Sequence, residues 1–230
     1  MIKGVIFGLD RCIYDVETQN IDVLDPVIEA LEDADIHRFF DKSDVEDIKE
    51  ALWTRPFDEV LATFNIPPQL ANHLKKAHQH LRADHSIQPY SDIVVLPHLN
   101  QRKILVTRGF KEYQNSKIQA LGITPYFDEV HIDSIDDGNR GKKAIFLDIL
   151  QKHGWKPNEV LVIGNDVHRA IKAAKEIGMK TAQALRPGVR KAESADYFLR
   201  SLEDLNAVLT ANETKIVRRK IAPIAAKMQA

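Results

Sequence analysis

The sequence is poor in cysteine and in long apolar runs. Its 230 residues include a single cysteine, Cys12, so an intrachain disulfide and a cysteine-based zinc site are both excluded. No stretch has the length of a membrane span, and the apolar run at the amino terminus stops at Gly8, which does not fit a secretory signal peptide. These absences predict a cytoplasmic protein that does not enter a membrane.

The sequence also lacks an excess of charge of either sign. Lys and Arg number 32 against 33 Asp and Glu, for a net charge of -1, which argues against a nucleic-acid partner or a membrane-surface partner. No GxGxxG follows an apolar run, and neither GxxxxGK[ST] nor GxSxG is present, so the motifs of dinucleotide, P-loop and acyl-transfer sites are missing. Internal repeats are absent too.

The first fifteen residues are the most informative stretch. Gly4 to Phe7 is a short apolar run typical of a central strand in a parallel sheet, and it leads into a loop that carries Asp10 and Asp15. Ligands of such sheets bind where strands end, so this loop is the predicted site. Cys12 invites a nucleophile interpretation, but no His is nearby in sequence, and a small buried apolar residue is the favoured one.

Residues 16–90 lack strand-like runs and show helical spacing instead. Apolar residues recur at three- and four-residue intervals in four segments. Ser43 is the predicted N-cap of the second, with acidic residues in its first turn. The predicted helices cover Asp25–Phe40, Ser43–Leu52, the residues after Pro56, and Gln69–Leu81.

From residue 91 onward apolar runs alternate with helical segments, which predicts an α/β fold with a parallel sheet. The run at 102–106 ends in Thr107-Arg108-Gly109, just before a predicted helix at 112–123. A hydroxyl and free backbone N–H groups at such a strand end hold a phosphate oxygen, and an arginine adds a charge-assisted contact. The alternative is a strand followed by a turn that binds no ligand. Further strands are predicted at 130–132, 160–163, 180–182 and 196–199.

These features together resemble the haloacid dehalogenase superfamily, in particular its phosphoglycolate phosphatase and haloacid dehalogenase types with a helical cap. The likeness covers residues 2–209 and rests on four strand ends: the loop after Phe7, Thr107-Arg108-Gly109, the lysines that open a helix at 142, and Gly164-Asn165-Asp166. It implies a Rossmann-like doubly wound parallel sheet with an inserted all-helical cap. The implied core is residues 1–15 and 91–210, the cap is 16–90, and 211–230 form a basic tail or helix.

The resemblance also implies roles for individual residues. Gly8 stands where the superfamily has its nucleophilic Asp, and Asp10 stands at the acid/base position. The resemblance assigns phosphate contacts to Thr107, Arg108 and Gly109, and also to Lys142 or Lys143 as the lysine of the third motif. The commonest spacing of that motif would instead place this lysine at Arg140. The Mg²⁺ of the superfamily would be held by Asp10, Asn165 and Asp166. That site is weakened, because Gly8 and Asn165 are neutral and the last acidic position of the fourth motif falls on Ala170.

Three functions follow as alternatives. The first is a phosphatase-like protein with turnover lost or nearly lost, acting by binding a phosphorylated small molecule or a protein. The second is a phosphohydrolase that uses a displaced carboxylate at Asp10, Asp15 or Asp166. The third is a pure interaction protein that uses the cap or the basic tail, for a protein partner or a homodimer. Enzymatic status stays open at this point.

Overall fold

The computed structural model describes residues 1–33 and 36–210. Eight strands and the seven α-helices named below lie within these residues, joined by short 3₁₀ segments and one π-helical turn, and residues 205–210 are helical as well. The strands are β1 (Gly4–Phe7), β2 (Tyr14–Asp15), β3 (Gln88–Pro89), β4 (Arg102–Gly109), β5 (Glu129–Ser134), β6 (Val160–Gly164), β7 (Lys180–Ala184) and β8 (Tyr197–Leu199). The helices are α1 (Asp25–Asp33), α2 (Lys42–Thr54), α3 (Phe57–Thr63), α4 (Pro68–Gln79), α5 (Lys111–Ala120), α6 (Lys142–His153) and α7 (Lys172–Glu176).

Six of the strands form one parallel sheet in the order β5-β4-β1-β6-β7-β8. Strand β1 is central, with Phe7 paired to Leu105 of β4 on one side and to Ile163 of β6 on the other. The chain adds β4 and β5 to one side of β1 and then β6, β7 and β8 to the other. The strand order therefore reverses beside β1, and this is where ligands bind in open α/β sheets. The predicted fold class, an α/β doubly wound parallel sheet, is confirmed.

Side-chain alternation along the strands creates a core on each face of the sheet. Val5 and Phe7 point into one apolar cluster with helix α5, while Ile6 points into the other with helix α6. All four residues of β1 are buried. The central strand is thus fixed from both faces, and the loop after it begins from a rigid base.

Helices α1 to α4, which we call the helical insert, lie between β2 and β3. These two strands form a separate two-stranded antiparallel ladder, with Tyr14 opposite Pro89 and Asp15 opposite Gln88. The apolar cluster of the insert extends to Phe110 and Tyr113 of the sheet domain. Buried His78 of α4 stacks on Phe110 with ring centroids 4.6 Å apart, so the insert packs firmly against the start of α5.

Two local expectations are corrected. The N-cap of α2 is Asp41 and not Ser43, because the Asp41 carboxylate accepts a hydrogen bond from the Asp44 amide at 2.9 Å. The segment expected as one helix from 25 to 40 ends its α-helix at Asp33, and a separate 3₁₀ turn covers Ile36–Arg38. The basic tail, 211–230, lies outside the described residues. Within the described ranges, no helix combines the length and the apolar character that crossing a membrane requires.

Candidate active site

The loop after β1 begins at Gly8, a residue that has no side chain. Its amide still donates to the Ile163 carbonyl of the neighbouring strand β6, at 2.9 Å. A Cβ at this position would meet its nearest heavy atoms, Cys12 Cβ and the Ile163 oxygen, at 3.7 Å, an ordinary contact distance. The position therefore has room for a side chain, and the glycine is not demanded by crowding.

Asp10, the residue at the acid/base position, is held in an ion pair by Lys117 of helix α5. Lys117 Nζ donates to Asp10 Oδ1 at 2.8 Å. The lysine side chain is only 7% exposed, against 39% for the aspartate. Its ammonium also lies 4.7 Å from the Tyr113 ring centroid and 5.6 Å from that of Tyr14. Asp10 is thus tied to a buried cation.

Cys12 is fully buried, and its thiol lies 3.7 Å from the Ile163 carbonyl oxygen. Burial raises the pKa of this thiol to about 11, although Arg186 and a backbone hydrogen bond from Gly8 act in the opposite direction. A thiol that stays protonated at neutral pH is a poor nucleophile. The geometry agrees with the small buried apolar residue expected from the sequence.

A buried arginine supports the loop from behind. Arg186 follows β7 and donates from Nε and Nη2 to the Cys12 carbonyl at 3.2 and 2.9 Å. The same guanidinium binds the Asp92 carboxylate in bidentate fashion at 2.6 and 2.9 Å. Asp92 in turn accepts from the Leu202 amide at 2.7 Å. The site loop is therefore linked to segments about 80 and 170 residues further along the chain.

The side chain of Gln114, from helix α5, lies against the end of β4. Buried Thr107 donates its hydroxyl to Gln114 Oε1 at 2.8 Å. A Cβ at Gly109, whose φ is +152°, would meet the amide nitrogen of Gln114 at 2.6 Å. Gln114 thus packs directly over the strand end and accepts the hydrogen bond of the hydroxyl that the sequence assigned to a phosphate contact.

The three cationic residues near the start of α6 have different surroundings. Arg140 pairs with Asp148 at 2.8 Å, and Lys143 pairs with Glu176 at 2.8 Å, both on the surface. Lys142 is half-buried and lies within electrostatic range of Asp10 and Asp166. Burial lowers the pKa of Lys142, and the two carboxylates offset this only in part. Of the three, Lys142 is the one whose charge interacts with Asp10 of the loop after β1.

The loop after β6 has no free carboxylate. Asn165 uses its backbone oxygen to accept from Gln183 Nε2 at 3.3 Å. Asp166 accepts from the His168 amide at 2.8 Å and pairs with Arg169 at 3.1 Å, so it serves as an N-cap. A π-helical turn, Val167–Ile171, precedes α7, and Ala170 within it is buried. The loop after β6 therefore offers the cation of Arg169 and the neutral amide of Asn165, and its one carboxylate, Asp166, is already paired.

A cleft of about 280 Å³ lies at this edge of the sheet. Of the residues assigned to phosphate from the sequence, Arg108, Lys142 and Lys143 line it, whereas Thr107 and Gly109 do not. Four residues near the site were not predicted from the sequence: Lys117, Gln114, Arg169 and Lys172. Lys117 could have been predicted to be buried, because it lies three residues after Gln114 and four before Leu121, on the stripe of α5 that faces the core. A lysine on a buried stripe indicates a buried partner for its charge.

Comparison with known proteins shows the family to which the chain belongs. Residues 5–184 match the sequence profile of the family described as haloacid dehalogenase-like hydrolase. The chain belongs to this family. A glyceraldehyde 3-phosphate phosphatase of Methanocaldococcus jannaschii is 26% identical over 221 residues, covering 89% of this chain and 96% of the relative.

Solved structures of the family have the same fold. A phosphatase from Thermococcus onnurineus superposes with a TM-score of 0.62 at 23% identity, covering 90% of this chain and 98% of its own. A putative hydrolase from Bacillus subtilis, whose structure contains magnesium, gives a TM-score of 0.60 at 18% identity, with 90% and 98% coverage. At these identities the likeness extends to the fold alone.

The residues of this chain do not fit the Mg²⁺ that the family generally uses. Mg²⁺ prefers hard anionic oxygens in octahedral geometry, yet Gly8 has no side chain and Asn165 is neutral. Asp10 is paired with Lys117, and Asp166 is paired with Arg169. Throughout residues 1–33 and 36–210, no three His, Cys, Asp or Glu side chains are grouped so that they could hold a metal ion.

Proposed function

We propose that this chain binds phosphorylated small molecules on a hydrolase fold, with phosphatase turnover lost or nearly lost. The observation that carries the proposal is the absence of a side chain at Gly8 together with a cationic cleft at the same edge of the sheet, which Arg108 and Lys142 line and Gly8 does not. In the family mechanism an aspartate at this position attacks phosphorus. Loss of a covalent nucleophile lowers turnover by about a millionfold in a protease where it was measured.

The other carboxylates near the site do not offer a replacement. Asp10 is held by Lys117, Asp166 by Arg169, and Asp15 accepts from the Glu17 amide at 3.2 Å. A carboxylate in an ion pair is a weaker nucleophile and a weaker base than a free one. These contacts argue against hydrolysis by a displaced carboxylate.

The cleft nevertheless has the charge that a phosphate requires. Lys142 is half-buried at the start of α6, where the helix N-terminus adds its own preference for an anion. The relative from M. jannaschii is named for a three-carbon phosphate ester, which supports a small phosphorylated ligand. Because the cations are side chains, binding needs no metal.

Titration calorimetry with inorganic phosphate in EDTA tests the proposal. We expect wild-type protein to bind, and Lys142→Met to lower the affinity by about tenfold, the factor that a single charge-assisted contact represents. Lys3→Met is the matched control, since Lys3 pairs with Glu159 at the opposite edge of the sheet. Absence of binding by wild type, or equal affinities in all three proteins, would contradict the proposal.

A further inference from the structure

The cleft contains more positive charge than one phosphate needs. Besides Lys142, the side chains of Arg108, Arg169 and Lys172 line it, and the acidic residues of its wall are Asp133 and Glu176. Arg108 lies at the end of β4 and Arg169 in the turn after β6, so the two guanidiniums come from opposite sides of β1. The cleft therefore offers cations to two separate anionic groups.

Two carboxylates of the helical insert already occupy these arginines. Asp58 and Glu59 are consecutive residues in the first turn of α3. Asp58 forms an ion pair with Arg108. Glu59 Oε1 lies 2.7 Å from Arg169 Nη2, while Asp166 pairs with the Nε of the same arginine. One turn of one helix thus places a carboxylate on each of the two guanidiniums.

The Asp58 pair is incompletely satisfied. A guanidinium and a carboxylate ordinarily meet through two parallel hydrogen bonds. Here Arg108 Nε and Asp58 Oδ1 are both buried and have no hydrogen-bond partner. A buried donor or acceptor without a partner is costly, so an anionic group able to engage both nitrogens of Arg108 would bind it better than Asp58 does.

We propose that Arg108 and Arg169 form a subsite for a second anionic group beside the phosphate position, and that Asp58 and Glu59 fill it until a ligand displaces them. The inference rests on the proposed function. The ligand class it names is a small molecule that carries a carboxylate as well as a phosphate. Ligand binding then breaks the two ion pairs between α3 and the sheet domain.

Calorimetry with 3-phosphoglycerate and glycerol 3-phosphate tests this proposal, because the two ligands share the phosphate and differ in the carboxylate. We expect wild-type protein in EDTA to prefer 3-phosphoglycerate, and Arg169→Gln to remove the preference while glycerol 3-phosphate still binds. Glu59→Gln removes a competing carboxylate. It should therefore raise the affinity for 3-phosphoglycerate by about tenfold, the factor of one charged contact.

Glu112→Gln is the matched control. Glu112 of α5 pairs at 3.1 Å with Arg82, which follows α4, so this change also breaks an ion pair between the insert and the sheet domain, outside the cleft. Equal affinities of wild type for the two ligands, or equal effects of Glu59→Gln and Glu112→Gln, would overturn the subsite. If glycerol 3-phosphate still binds in that case, the proposed function stands. No binding of either ligand would overturn both.

Discussion

Gly8 and Lys117 act on the same loop in different ways. Gly8 leaves the end of β1 without a reactive group, and Lys117 neutralises Asp10 two residues later. The lysine is almost completely buried, and a buried ammonium without a partner is strongly unfavourable. Asp10 therefore has a structural role, because its carboxylate neutralises the buried ammonium of Lys117.

Restoring the two missing carboxylates tests whether the rest of the site is intact. A side chain at Gly8 meets nothing closer than 3.7 Å at its Cβ, and Asn165→Asp changes no volume. We expect the double variant Gly8→Asp/Asn165→Asp to hydrolyse p-nitrophenyl phosphate with Mg²⁺ at least about tenfold faster than Gly8→Ala/Asn165→Asp, because an attacking carboxylate and a metal ligand are regained together. Equal rates in two well-folded variants would mean that the remaining groups are not arranged for phosphoryl transfer.

At the scale of elements, the site loop is fixed by contacts from outside its own strand. Arg186 joins the Cys12 carbonyl to Asp92, and Asp92 joins the segment that begins at Leu202. Burial opposes ionisation of Asp92, but the bonds from Arg186 and from the Leu202 amide lower its pKa below the usual value. Both members of the pair are thus charged and buried. Removal of either one lowers the stability of the fold, because it leaves the other charge buried without a partner.

Arg186→Met should therefore destabilise the protein by about 3 to 5 kcal/mol, since Asp92 would remain buried without its cation. The free energy of unfolding in urea measures the effect. Arg140→Met provides the comparison, because Arg140 and Asp148 form an exposed pair whose loss should cost less than about 1 kcal/mol. Similar costs for the two variants would contradict the supporting role assigned to Arg186.

At the scale of the whole molecule, the helical insert and the sheet domain share an apolar contact with a titratable group inside it. His78 of α4 stacks on Phe110 and meets the edges of Phe57 and Tyr113. Burial lowers its pKa to about 4, with the positive charge of Lys117 acting in the same direction. The neutral imidazole is thus the form that fits the folded protein.

The pH dependence of stability follows from this shift. The folded-state pKa lies below the unfolded value of about 6.5, so the unfolded chain takes up the proton first as the pH falls. His78 should be without effect above pH 6.5, and stability should fall by up to about 3 kcal/mol between pH 6.5 and 4. In urea titrations, His78→Leu should weaken this dependence, whereas His73→Leu, which changes an exposed residue of the same helix, should retain it.

The sequence predicted the parts of this molecule that depend on local pattern. Apolar runs located the strands of the sheet, and the substitution at Gly8 was readable without coordinates. The contact between Lys117 and Asp10 joins residues 107 apart, and that between Arg169 and Glu59 joins two parts of the chain that only the packing of the insert brings together. Such pairings depend on tertiary structure, so periodicity and spacing could not predict them. The boundaries proposed for the cap and the core stay predictions.

We propose that the chain has a phosphate-binding cleft without phosphatase turnover. Steady-state hydrolysis by the wild-type protein, measured with Mg²⁺ on a panel of small phosphate esters that includes glyceraldehyde 3-phosphate, tests it most directly. We expect rates several orders of magnitude below the common kcat range of about 1 to 1000 per second. A kcat within that range on any ester of the panel would contradict this proposal.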